Sequence, residues 1–196
     1  SLHGPGDLVM TFKDAAAKLP ATGGMVQGRA DLVSTNVGKV GACFGAHIAD
    51  VHVDRDTGKV TVLRYTAIQD VGRAIHPAYV EGQIQGCIGH ATGDVLLENF
   101  TYDAHGYPHN GTLVDYHLPT TVDVPLLTKM HKIESPDPAT SHGQRGAGEG
   151  ALLPFPAAIA NAIYDATGVR FRELPLSPQK ILPSLIEHGL STHKKL

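Results

Sequence analysis

The 196 residues carry a net charge of -3, with 42% hydrophobic and 18% charged side chains, enough apolar material to bury a core, which excludes a disordered chain. No basic block exists to favour nucleic acid, and no run reaches the roughly 18 apolar residues of a membrane-crossing helix. The opening Ser1-Leu2-His3-Gly4-Pro5-Gly6 lacks a signal-peptide pattern, and two cysteines, Cys43 and Cys87, fit a reducing, cytoplasmic compartment.

Thr11 to Leu19 is predicted to be a short helix, with Thr11 as N-cap and Asp14 completing a capping box. Met25 to Val33 follows as an extended piece. Val40 to Asp54 and Lys59 to Gln69 read as two strands from their alternation, joined at the hairpin loop Arg55-Asp56-Thr57-Gly58. Pro77 to Phe100 is predicted as a long helix. Gly82, Gly86, Gly89 and Gly93 form a bare stripe on it, and Val80, Ile84, Cys87, Ile88, Ala91 and Val95 lie opposite. Each interior glycine costs about 0.5–1 kcal/mol relative to alanine, so close approach of a ligand or another backbone is the expected reason. Burial on both sides of the helix follows from that reading. Gln83 beside the stripe can offer both donor and acceptor to a flat polar ligand, although a glutamine satisfying backbone groups would look the same.

Tyr102 to Asn110 is a turn region, and Asp115 to Pro125, broken by Pro119 and Pro125, is a loop expected to line something. Leu126 to Glu134 is a short strand. The glycine-dense loop Gly143 to Gly150 then carries a lone carboxylate, Glu149, ahead of a helix from about Pro156 to Thr167 that stops at Gly168. The inner face of this helix is predicted as Ile159, Ala162, Ile163 and Ala166. Val169 to Leu174 is extended, and Ser177-Pro178 opens a last helix interrupted at Pro183, before a frayed tail from His193. Together these elements predict an α+β fold, a two-layer mixed sheet with packed helices, with no linker long enough to separate two domains.

Glu149 reads in two ways. It can be a dipole-stabilised residue near a helix start, worth about 0.3–1 kcal/mol, or a general base whose pKa must be tuned by its surroundings. Arg145 would oppose a raised pKa if it paired with Glu149. The Gly146-x-Gly148-x-Gly150 spacing is not a dinucleotide fingerprint and lacks the strand–turn–helix context. The twelve histidines form no HExxH or HxxEH set.

As an ordered set, several segments resemble the C-terminal part of the molybdenum-binding subunit of the xanthine dehydrogenase / aldehyde oxidase / carbon monoxide dehydrogenase family. They are Gly45 to Val51 running into Val53 to Gly58, Asp70 to Ile75, Glu81-Gly82-Gln83, Asp115-Tyr116, Leu118-Pro119, Asp123-Val124-Pro125, Arg145 to Glu149 and Ala160 to Ala166. The resemblance covers roughly Gly41 to Ile186. It implies a molybdenum–molybdopterin cofactor, the cytosine dinucleotide form being one option, with the metal held by the pterin dithiolene and not by protein ligands. It further implies that Glu149 is the base that activates a molybdenum-bound hydroxide for attack on an electron-poor carbon, in a low-dielectric pocket that raises its pKa. Gln83, Gly82, Gly146, Ala147 and Gly148 would form the cofactor wall. The implied partners are the remainder of the molybdenum-binding subunit, iron–sulfur ([2Fe-2S]) and flavin (FAD) subunits, and a small-molecule substrate. Aldehydes, N-heterocycles, acyl-CoA aromatics and carbon monoxide all remain open as substrates. His76 stands where the family commonly has asparagine, His90 where it often has glutamine, and Arg145 where lysine is usual. Family subunits are several times longer, so the chain is read as part of such a subunit, inactive without the remainder. Two alternatives stay open: a non-catalytic cofactor-binding or assembly domain, which an exposed Glu149 would favour, and a zinc-dependent hydrolase.

Overall fold

Alternating apolar residues build the centre of the fold as a β-hairpin, β3 (Phe44–Val53) with β4 (Val60–Asp70), antiparallel from Phe44 opposite Asp70 to Val53 opposite Val60. The computed structural model describes residues 2–4, 6, 8–23, 41–125, 127–140 and 142–193. The expected extended piece from Met25 to Val33 lies outside them. Asp50 faces Arg64 while Val51 faces Val62, so Leu63 is an extra residue in β4. This bulge changes which parity points inward. Val60 and Val62 are buried before it, and Tyr65, Ala67 and Gln69 after it.

The third strand, β5 (Leu127–Ile133), pairs with β4 in parallel, from Arg64 opposite Leu127 to Asp70 opposite Ile133. A parallel partner cannot be reached by a hairpin, and the connection carries helix α2 (Pro77–Thr92). The helices α3 (Phe155–Thr167) and α4 (Pro178–Glu187) follow. Tyr65, Ile84, Ile88, Phe155, Ile159, Ile163, Ile181 and Leu185 form one buried cluster, in which the Tyr65 and Phe155 rings stack at 4.6 Å. The result is a mixed sheet with helices packed on it, an α+β architecture. Turn chemistry follows the sequence: Gly58 closes the hairpin at φ 74 and Gly168 ends α3 at φ 73, both left-handed values that favour glycine.

The chain divides into two compact units, Ser1–Val37 and Gly38–Leu196. The first holds a small antiparallel pair, β1 (Leu2–Gly4) with β2 (Leu8–Met10), and the helix α1 (Phe12–Ala17). Thr11 caps α1 as expected, its hydroxyl accepting from the Asp14 amide at 3.1 Å.

Several expectations are corrected. α2 buries Ile84, Cys87, Ile88 and Ala91 but leaves Gly82, Gln83 and Gly86 exposed, so it is not covered on both sides. Its helical run ends in a π-helical turn at Gly93–Leu97. α4 passes through Pro183, because Ile181 and Leu185 anchor it in the core on either side of that residue; the bond lost is one to the carbonyl four residues earlier. Ala166 on α3 is exposed. Finally, His193 is tied back to the hairpin loop by a 2.9 Å contact from its Nε2 to the Asp56 carbonyl.

Candidate functional site

The glycine loop is held at its entrance by Arg145. The guanidinium donates to the carbonyls of Ser135 (2.9 Å) and Ala42 (3.0 Å), and lies 3.6 Å from Asp137 and 3.8 Å from Asp70. Its charge is therefore spent on two carboxylates at the base of the loop, not on Glu149. Asp137, which accepts from the amides of Ala139 and Gly41, is held below the usual carboxylate range by those bonds and then by Arg145. The turn after β4 locks onto the same segment. Arg73 N–H donates to the Gly143 carbonyl and Arg145 N–H to the Val71 carbonyl. Gly72, at φ 61, leaves no room for a Cβ against that Gly143 oxygen.

Beyond Arg145 the loop crosses the exposed edge of α2. Gly148 sits beside Gln83, whose Nε2 would be 3.9 Å from a Cβ at position 148. The buried Cys87 thiol donates to the Gly148 carbonyl at 3.1 Å. Burial pushes that thiol up, and the charge of Glu149 adds to the shift. The next glycine, Gly150, lies against Cys43 and Gln69. The chain then turns into α3 through Leu152 N–H donating to the Glu149 carbonyl at 3.0 Å. Glu149 thus stands on a short span fastened at both ends.

The structure therefore brings Gln83, Gly148 and Glu149 together at one surface, with Gly82 next to Gln83 in α2 and Gly146 and Ala147 leading in. Gly146 donates its amide to the Gly41 carbonyl at 2.7 Å. Glu149 itself is exposed, as are Gln83, Gly82, Gly146 and Gly148. The desolvation expected of a base pocket is not supplied by the described residues, since none covers this face. Gly82 and Gly86 have open space where a Cβ would stand, whereas Gly93 packs against Glu98 and Pro119. The stripe thus serves two purposes: packing at its C-terminal end, a bare face at its N-terminal end.

Sequence reasoning missed the layer beneath the loop. Gln69 is 1% exposed, and its Oε1 and the His47 Nε2 are buried without a hydrogen-bond partner. His47 Nδ1 lies 2.7 Å from the Tyr65 hydroxyl. The findable signal was a polar residue on the parity of Tyr65 and Ala67, but the bulge at Leu63 hid that parity. Among the described residues, no group of three His, Cys, Asp or Glu side chains could hold a metal ion. A zinc hydrolase centre has no site there.

A family model described as a molybdopterin cofactor-binding domain matches residues 6–125, more than half of the chain and including Gly82 and Gln83. The chain belongs to that family. Its relatives make it part of a molybdenum-binding subunit of the molybdenum hydroxylases. A putative xanthine dehydrogenase molybdenum-binding subunit of Escherichia coli is 33% identical over 190 residues, covering 95% of this chain and 25% of that protein. The carbon monoxide dehydrogenase large chain of Hydrogenophaga pseudoflava is 33% identical over 152 residues, 76% of this chain and 19% of its own length. The crystal structure of quinoline 2-oxidoreductase from Pseudomonas putida 86 superimposes with a TM-score of 0.67 at 38% identity, over 72% of this chain and 18% of that one. These alignments span a quarter or less of each relative.

Proposed function

We propose that this chain forms one wall of the cofactor site of a molybdenum hydroxylase, with Glu149 as the general base. The observation that carries the reading is the convergence of Gln83, Gly148 and Glu149 at an open face, with room over Gly82 and Gly86 that any side chain there would fill. A planar pterin fits such a face, because it needs bare backbone to lie against and amide groups to pair with. Gln83 would donate or accept at its edge, and Gly82, Gly146, Ala147 and Gly148 would present backbone. The bound group supplies the redox centre that accepts two electrons.

Glu149 would take the proton from the water-derived oxygen nucleophile as it attacks an electron-poor carbon of an aldehyde or N-heterocycle. A base must sit within hydrogen-bond reach of that proton and have a pKa near the working pH. Arg145 leaves it free to do so, being engaged with Asp137 and Asp70. Closure of the site by the remainder of the subunit would supply the missing desolvation. Electrons would leave through iron–sulfur and flavin partners, in a cytoplasmic assembly consistent with two free cysteines. The pterin would be the plain or the cytosine dinucleotide form.

The exposure of Glu149 favours one second reading, a cofactor-binding or assembly domain with no base. Two measurements separate them. Metal and pterin analysis of the natively purified protein, with its co-purifying chains identified by mass, should find molybdenum, pterin and larger partners. Glu149→Gln in that complex should then lower kcat by about 10²–10⁴-fold, the usual contribution of a general base, while molybdenum stays bound. Full activity in that variant would leave the assembly reading standing.

A further inference from the structure

Gly45 of β3 and Gly150 of the loop are the two jaws around the Gln69 side chain. A Cβ at position 45 would lie 2.5 Å from Gln69 Oε1, and one at position 150 would lie 3.0 Å from Gln69 Nε2. The carboxamide is therefore oriented, with oxygen toward the hairpin and nitrogen toward the Glu149 segment. Burial at 1% exposure leaves it no water to turn to. Its Oε1 is one of two orphaned buried polar atoms among the described residues, and the other is His47 Nε2, on a residue that pairs with Ala67, two positions along β4 from Gln69. The Tyr65 hydroxyl occupies His47 Nδ1 at 2.7 Å. With the tyrosine donating there, the imidazole proton belongs on Nε2. An unpartnered buried acceptor is costly, and burying an amide in an apolar strand face needs a reason beyond packing.

The geometry points to Gln69 as a positioning residue: the close approach of β3 at Gly45 fixes the orientation of its carboxamide, and the carboxamide seats Gly150 so that Glu149 is presented at the open face. This rests on the reading of Glu149 as the base. The order of contacts runs Gly45, Gln69, Gly150, Glu149, and it places a polar support directly behind a carboxylate that no described side chain holds. Cys43, whose Sγ would be 2.5 Å from a Cβ at position 150, closes the remaining side.

The test uses the complete molybdenum-binding subunit in its native complex and the variant Gln69→Met, which keeps length and volume without the amide. In the cofactor-free subunit, the amides from Gly148 to Leu152 should exchange with deuterium faster than in wild type. In the loaded enzyme kcat should fall about 10–100-fold, the scale of a small misplacement of a reacting group, with KM and molybdenum content kept. That loss should vanish in a Glu149→Gln background, because the two residues act as one unit. Unchanged exchange, or a loss that adds to that of Glu149→Gln, overturns the proposal. If Glu149→Gln keeps the wild-type rate, the base reading is what fails, and the exchange data still decide whether Gln69 seats the loop. Should Gln69→Met not fold, Gly45→Ala, whose Cβ would meet Gln69 Oε1, displaces the carboxamide instead. It should speed the same exchange, and wild-type exchange would count against the proposal.

Discussion

Gly150 shows how much one missing Cβ can decide. Placing a methyl group there drives it into Cys43 Sγ and the Gln69 amide, and overpacking of that kind costs about 1–3 kcal/mol. Gly150→Ala should lower the thermal midpoint of the complete subunit, whereas Gly148→Ala, with its nearest neighbour at 3.9 Å, should not. Differential scanning calorimetry on the pair reads the difference. His47 carries the acid sensitivity of the same layer. Burial holds its pKa below the ordinary 6.5, against a smaller upward pull from Gln69. The unfolded chain therefore binds the proton first, so stability is full above about pH 6.5 and falls as pH drops toward the folded value. Replacing His47 by glutamine should flatten the urea midpoint across that window. Glu149 and Gln83 were legible from the loop and the stripe. Gln69, His47 and Tyr65 were not, because a glutamine in a strand announces nothing until the bulge at Leu63 shows which way it points.

Helix α2 was legible as an element and misjudged in its surroundings. Periodicity identified its buried side, Ile84, Cys87, Ile88 and Ala91, but periodicity cannot distinguish a glycine covered by backbone from one left bare. Gly82 and Gly86 have nothing within 4 Å of a Cβ position. Alanine at either should therefore stabilise the isolated helix by about 0.5–1 kcal/mol. In the complete subunit the same substitutions should reduce retained molybdenum, because the methyl groups stand where the pterin is proposed to lie. Thermal midpoints together with metal analysis test this opposition, and a variant that is more stable and equally loaded would remove the stripe from the site. The β3–β4 hairpin was legible because alternation and the Asp-Thr-Gly turn agree. Pro183 misled because Ile181 and Leu185 anchor the helix in the core on either side of it, despite the lost hydrogen bond and the ring's clash.

For the molecule as a whole, the chain covers 25% of the Escherichia coli relative. Among the described residues, Ile75, Tyr79, Leu113, Val114 and Val122 are all more than half exposed. Apolar surface left open in this way marks an interface or an aggregation hazard. The 196-residue chain alone should bind a hydrophobic dye and show no turnover, and the complete subunit should lose the dye signal. Sequence segments revealed the family because they occur in order along the chain, but they could not reveal this exposure, which depends on residues elsewhere. The parallel pairing of β4 with β5 also sets a timetable for folding. The β3–β4 hairpin closes a short loop and can form from neighbours. β5 must wait until the whole stretch from Asp70 to Leu127, α2 included, has been made and brought back, and non-local pairing of that kind is slow. During synthesis β4 therefore presents an unpaired edge until β5 arrives, and that interval is when this domain is most exposed to mispairing with another chain.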